Sequence, residues 1–222
     1  MIEKTLLIFD IDGTLLLTKE IGDQCFIDTF EQVYQCSLGN LQWEDFTNVT
    51  DSALFIDLYH MTTDKLPLRT EIYHFKKAYY NALLSLTKTH TSSFTCVEGA
   101  KEFLQYCQLK KWPTAIATGS WREIATLKIS TCNLPIFDLP IATSDDSHIR
   151  TQIITSAIEK SMLQYRISHF DQIFYFGDGI WDKKSAEALG LEFIGIDTEN
   201  NGSLKKSGVV KVFRNFNELD LW

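Results

Sequence analysis

The sequence has no C-x-x-C pair, no histidines at metal-binding spacing and no long apolar run. Its five cysteines (Cys25, Cys36, Cys96, Cys107 and Cys132) are odd in number and widely separated, which argues against a zinc or dithiol site. They are expected to be small, reduced, mostly buried residues. His60, His74, His90, His148 and His169 read as surface or packing residues. The N-terminal apolar run, Leu6 to Phe9, is closed by Asp10 and Asp12, so it is too short for a secretion signal and too acidic to span a membrane. A soluble, cytoplasmic protein with no membrane partner is expected. A basic stripe is also missing: 29 acids against 21 bases give a net charge of −8, and the nearest approach to a patch is Lys205-Lys206. That composition argues against a nucleic-acid partner. No internal repeat is visible.

What is present is enough apolar matter for one large domain with an insertion. Of 222 residues, 45% are hydrophobic, and 15 Phe, 8 Tyr and 5 Trp can fill a sizeable core. Thr5 to Phe9 has the pattern of a buried strand. From Ile21 to about residue 86 the period is helical. Ile21, Cys25, Phe26, Phe30 and Val33 share one face; Leu54, Phe55, Leu58 and Tyr59 form a second stripe; Ile72, Phe75, Tyr79, Leu83 and Leu86 form a third. Segment 87–95 is polar and reads as a linker. Beyond it, strands near Thr114–Thr118, Pro140–Thr143, Gln172–Phe176, Phe193–Ile196 and Val209–Phe213 alternate with helices. That alternation predicts an α/β fold with a parallel sheet covered by helices, and it makes 16–90 an all-helical insertion after the first strand.

In an open parallel sheet, ligands bind beyond the carboxyl ends of the strands. Four polar loops fall there: Asp10-Ile11-Asp12-Gly13-Thr14, Thr118-Gly119-Ser120, the segment ending in Arg150, and Gly177-Asp178-Gly179 with Asp182. Each alone is adequately explained as a turn, a cap or a surface ion pair. Together, in order and at the same end of their strands, they point to phosphoryl transfer. Asp10 is placed as a carboxylate nucleophile, and Asp12 as the group that hands a proton to the leaving oxygen. Close carboxylates need a cation to remain ionised together, and Asp10 with Asp178 supplies hard oxygen ligands suited to Mg²⁺. Gly13 and Gly119 let backbone N–H groups approach a phosphate, Thr118 adds a hydroxyl, and Arg150 offers a planar fork for two phosphate oxygens.

Asp10-Ile11-Asp12-Gly13-Thr14-Leu15 resembles the first motif of the haloacid dehalogenase-like hydrolase superfamily. Thr118-Gly119-Ser120 resembles the second, and Gly177-Asp178-Gly179-Ile180-Trp181-Asp182 the fourth. The nearest likeness is to the phosphoglycolate phosphatase and β-phosphoglucomutase-like group. The resemblance implies a Rossmann-like core (1–15 and 91–222) with an inserted helical cap domain (16–90). It implies that Asp10 is the nucleophile and Asp12 the general acid/base. The Asp10 and Asp178 side chains and the Asp12 carbonyl would hold Mg²⁺, with Asp182 either a further metal ligand or the orienter of a metal-bound water. Thr118 and Gly119 would bind phosphate. The third motif departs from its commonest pattern: Arg150 stands where a lysine is usual, and Lys160 is the fallback cation. The cap loop from about Trp43 to Ser52 faces the core in relatives, so Trp43, Asn48, Thr50 and Asp51 are candidate specificity residues.

The function expected is a Mg²⁺-dependent phosphatase acting on a small phosphorylated metabolite. The alternatives are a phosphosugar mutase on the same scaffold and a non-catalytic binding protein of this fold.

Overall fold

A computed structural model describes residues 4–219. Six strands form one parallel sheet in the order β3-β2-β1-β4-β5-β6: β1 Thr5–Phe9, β2 Thr114–Ala117, β3 Ile141–Ala142, β4 Gln172–Gly177, β5 Glu192–Ile196 and β6 Val212–Phe213. The central strand β1 is buried along its whole length, as expected of a parallel strand covered on both faces. Its alternate side chains serve two cores. Leu7 and Phe9 pack with Ile116, Phe176 and Phe216 on one face, where the Phe9 and Phe176 rings stack with centroids 4.4 Å apart. Leu6 and Ile8 pack with Ala115, Ala117, Ile154 and Tyr175 on the other. The chain builds outward from β1 in both directions, through β2 to β3 and through β4 to β6. This leaves a crevice at the carboxyl ends of β1, β2 and β4, the usual ligand position in such a sheet.

Helices α1 (Lys19–Tyr34), α2 (Asp51–Thr63) and α3 (Arg69–Thr89) lie between β1 and the rest of the sheet. They share an aromatic cluster built on Phe26, Phe30, Phe55, Phe75 and Tyr79. Trp121 and Ile124, at the start of α5 (Arg122–Cys132), complete it, so this core continues into the sheet half. Val33 departs from its expected face: it is 41% exposed, while Tyr34 packs on Phe30 with ring centroids 4.6 Å apart. The expected linker is also more ordered than its polarity suggests. Helix α3 runs through Thr89, a 3₁₀ turn covers Thr91–Ser93, and Phe94 is buried. The two chain passages between sheet and insertion lie antiparallel to each other. Leu17 N–H donates to Thr95 O (2.8 Å) and Val97 N–H to Leu15 O (2.9 Å).

The remaining helices are α4 Ala100–Leu109, α6 Arg150–Tyr165, α7 Ile180–Ala188 and the single turn α8 Ser203–Lys206. The last strand is shorter than its apolar run, only Val212–Phe213. Among the described residues no helix is long and apolar enough to cross a membrane.

Candidate active site

The crevice holds a cavity of about 60 Å³ between the sheet and the inserted helices. Asp10, Asp12, Thr118, Gly119, Arg150 and Asp178 line it from the sheet side; Trp43, Thr50 and Asp51 line it from the insertion. Of the other sequence candidates, Gly13 borders an adjoining groove with Asp178, Asn48 borders a second groove with Trp43 and Arg150, and Asp182 is fully buried beneath the floor.

Asp10 ends β1, and its N–H continues the ladder to Phe176 O (3.0 Å). The following turn needs Gly13, whose φ of +76° is strained for any residue with a side chain. A Cβ there would also collide with the Asp178 carboxylate, so the two loops meet backbone against carboxylate. Asp10, Asp178 and Asp182 each offer one carboxylate oxygen, all within 4.8 Å of one another. Burial, then the charge of Asp182, pushes the Asp10 carboxyl well above its ordinary range. Asp178 and Asp12 push the same way, and Arg150 only partly opposes them. This electrostatic strain and the oxygen-only donor set fit a hard divalent cation.

Arg150 opens α6 and is 6% exposed. Its Nη1 donates to Asp182 Oδ1 (2.7 Å) and lies 3.5 Å from Asp10 Oδ1; its Nη2 donates to Val49 O (2.6 Å). Among the described residues its buried Nε has no hydrogen-bond partner. Burial opposes the guanidinium charge, but Asp182, Tyr175 and Asp10 outweigh it. Asp182 is pinned in turn: Oδ1 also accepts from the Tyr175 hydroxyl (2.9 Å), and Oδ2 from Gly179 N–H (3.0 Å). Lys160 bonds Ile141 O (2.9 Å) and Asp146 (2.8 Å) and does not line the cavity.

Asp12 is held by three donors: Thr18 Oγ1 on Oδ1 (2.5 Å), and Ser120 Oγ (3.0 Å) and Lys128 Nζ (2.9 Å) on Oδ2. Burial would raise its pKa. The Lys128 charge, with hydrogen bonds from Lys128, Thr18 and Ser120, instead keeps it below the ordinary value. Lys128 is 3% exposed and stays charged because Asp12 and Asp51 outweigh its own burial. Sequence reasoning missed this lysine. The available signal was its position: it lies four residues after Ile124 on the buried face of α5, where an unpaired lysine is rare. Tyr175 was also missed. A tyrosine in an apolar strand needs a partner for its hydroxyl, and here that partner is Asp182.

The loop 43–52 meets the core through several bonds. Asp51 N–H donates to Gly119 O (2.8 Å), and Thr50 Oγ1 to His148 O (2.8 Å). Ser52 Oγ donates to Ser144 O (2.9 Å), and Trp121 N–H donates to Asp51 Oδ2 (2.8 Å). Thr50 also caps α2, accepting from Ala53 N–H (3.2 Å). Trp43 donates from Nε1 to Asp23 Oδ2 (2.8 Å) at the cavity wall.

Three acids, the buried Asp10 and Asp182 and the half-buried Asp178, thus gather beside a buried arginine past the carboxyl ends of β1 and β4 in an α/β fold, the usual ligand position of such a sheet. The chain belongs to the haloacid dehalogenase-like hydrolase family, whose model matches residues 7–196. Three solved structures are similar in fold. CbbY from Rhodobacter sphaeroides, in complex with phosphate, has a TM-score of 0.71 at 18% identity over 99% of this chain and 97% of that one. A putative phosphoglycolate phosphatase from Lactobacillus plantarum has a TM-score of 0.61 at 17% identity over 95% and 94%. A putative β-phosphoglucomutase from Bacteroides vulgatus has a TM-score of 0.65 at 15% identity over 96% and 85%. No curated protein matches the chain.

Proposed function

We propose that this protein is a Mg²⁺-dependent phosphatase that hydrolyses a small phosphorylated metabolite through an aspartyl-phosphate on Asp10, with 16–90 acting as its cap. The observation that carries this reading is the pairing of roles around one cavity. Asp10 stands at the floor beside a buried arginine, and Asp12, two residues on, is held by a separate set of donors. In the first step an Asp10 oxygen forms the bond to phosphorus and the ester oxygen leaves, taking a proton from Asp12. The bound phosphate dianion beside Asp12 raises its proton affinity for that step. In the second, Asp12, again a carboxylate, takes a proton from the water that attacks phosphorus and frees Asp10.

Arg150 balances charge on the transferring group, with its unpartnered Nε as a further donor. Thr118 Oγ1 and the Gly119 backbone complete the phosphate cradle. Asp10, Asp178 and the Asp12 carbonyl would hold Mg²⁺, which supplies positive charge to the phosphoryl oxygens. Asp182 Oδ1 already accepts two hydrogen bonds, which suits it to orienting a metal-bound water and Arg150 more than to direct ligation.

Asp10→Asn tests the covalent step. It keeps the shape and removes the nucleophile, so turnover of a generic phosphate ester should fall at least ~10³-fold. Near-normal turnover by a folded Asp10→Asn protein would overturn this mechanism. A mutase would instead return the phosphoryl group to substrate, with little inorganic phosphate released.

A further inference from the structure

Around Lys128 the cavity wall carries more acids than bases, with Asp12, Asp23 and Asp51 against that one lysine. Asp51 and Asp23 line it from the insertion, together with the Tyr79 hydroxyl and the Trp43 ring. Both carboxylates are aimed by fixed donors, Asp51 by Trp121 N–H and Asp23 by the Trp43 indole. Trp121 holds only Oδ2 of Asp51; among the described residues Oδ1 makes no hydrogen bond. The described cations lining the cavity are Lys128 and Arg150, and each is already matched, to Asp12 and Asp182 respectively. The adjoining groove of about 390 Å³ continues the pattern, with Glu20, Asp178, Asp197 and Glu199 in its wall. Lys184 borders only the other groove, at its exposed side.

We infer that the substrate is a phosphate monoester whose alcohol part is uncharged or cationic and rich in hydroxyl or ammonium donors, and that esters with a carboxylate or a second phosphate are rejected. The inference rests on the phosphatase reading above and names its substrate class. An alcohol hydroxyl or an ammonium can donate to Asp51 Oδ1, which has acceptor capacity to spare. A second anion would face Asp51 across the cavity, and Lys128, the described cation beside it, is already held by Asp12. Like-charge juxtaposition of that kind discriminates strongly between partners.

The test compares kcat/KM at pH 8, above the value of about 7 to which burial pushes Asp51, so that its carboxylate is charged; with Mg²⁺ present, glycerol 2-phosphate and phosphoethanolamine are set against phosphoglycolate, 3-phosphoglycerate and a sugar bisphosphate. Acetyl phosphate, a small acyl phosphate with acetate as leaving group, serves as the reference that reports the core chemistry. The uncharged and cationic esters should exceed the anionic ones by on the order of 10²-fold. Asp51→Asn, which keeps an oxygen for the Trp121 N–H, should narrow that ratio by about 10-fold, the scale of one weakened charge pair in a partly solvated site. Asp51→Lys should narrow it further or reverse it. Hydrolysis of acetyl phosphate with equal or better use of the anionic esters would overturn the substrate class alone. So would a ratio unmoved in a folded Asp51→Asn protein. Absence of turnover on every ester and on acetyl phosphate would overturn the phosphatase reading and this inference with it.

Discussion

Arg150, at the start of α6, reaches across to Val49 in the loop before α2, donating from Nη2 to the Val49 carbonyl at 2.6 Å while Nη1 holds Asp182 at 2.7 Å. One guanidinium therefore joins the floor of the site to the inserted segment. An arginine suits this double duty because its donors are fixed in a planar fork, whereas a lysine offers a single point charge.

Substitution at this position should be felt in catalysis and in folding. Arg150→Ala should cost ~2–4 kcal/mol of transition-state stabilisation, read from kcat/KM. It should also lower fold stability by ~3–5 kcal/mol, because Asp182 is left buried without its cation. Arg150→Lys should recover part of the catalytic loss and fold more readily. Lys160→Ala, which removes bonds only to Ile141 and Asp146, should change kcat/KM little. Equal losses in Arg150→Ala and Lys160→Ala would contradict the assignment.

Gly119 has no room for a side chain. A Cβ there would lie 2.5 Å from Arg150 Nη2 and 2.9 Å from Val49 O. Gly119→Ala should force the loop 49–52 off the core and cost about 10²-fold in kcat/KM through misplacement. Hydrogen exchange at the Asp51 amide, which donates to Gly119 O, should quicken in the same variant. Unchanged exchange and unchanged kinetics would show that the loop tolerates the methyl group.

The pattern of the sheet was legible because parallel strands buried on both faces are short, nearly continuous apolar runs, and Thr5–Phe9 is one. The loops at their ends were legible because their residue types make chemical sense together. Lys128 was hidden by a different logic. Its role depends on α5 packing its Ile124 face toward Asp12, and that is a fact of tertiary packing, not of spacing around a motif. The residues of the loop 43–52 show the same limit. Thr50 serves as an N-cap, as its local sequence predicts, yet its hydroxyl also bonds His148 O, a partner 98 positions away.

Asp51 gives a pH signature. Burial pushes its carboxyl up to about 7; Lys128 and the Trp121 N–H pull it back, while Asp12 and Asp23 add to the rise. The unfolded value is near 3.9, so the fold favours the protonated form. The stability this gives is fully present below about pH 4 and is lost as pH rises through about 7. Asp51→Asn removes the penalty, so its stability relative to wild type should improve by ~1–3 kcal/mol from pH 5 to pH 8. Urea midpoints at the two pH values measure this, and a difference independent of pH would show that Asp51 titrates normally.

Metal dependence follows from the three carboxylates. A chelator should abolish turnover, and Mg²⁺ should restore it. Ca²⁺ should support it poorly, since it is larger and takes more ligands than this cluster offers. Full turnover in excess chelator would remove the metal from the mechanism.

The antiparallel pair of chain passages beside Leu16 and Cys96 gives the insertion two mutually bonded connections to the sheet, through the Leu17–Thr95 and Val97–Leu15 bonds. Thr18 follows immediately, with its hydroxyl on Asp12. The reach of that hydroxyl toward the carboxylate is therefore set by the same backbone pairing that anchors the insertion.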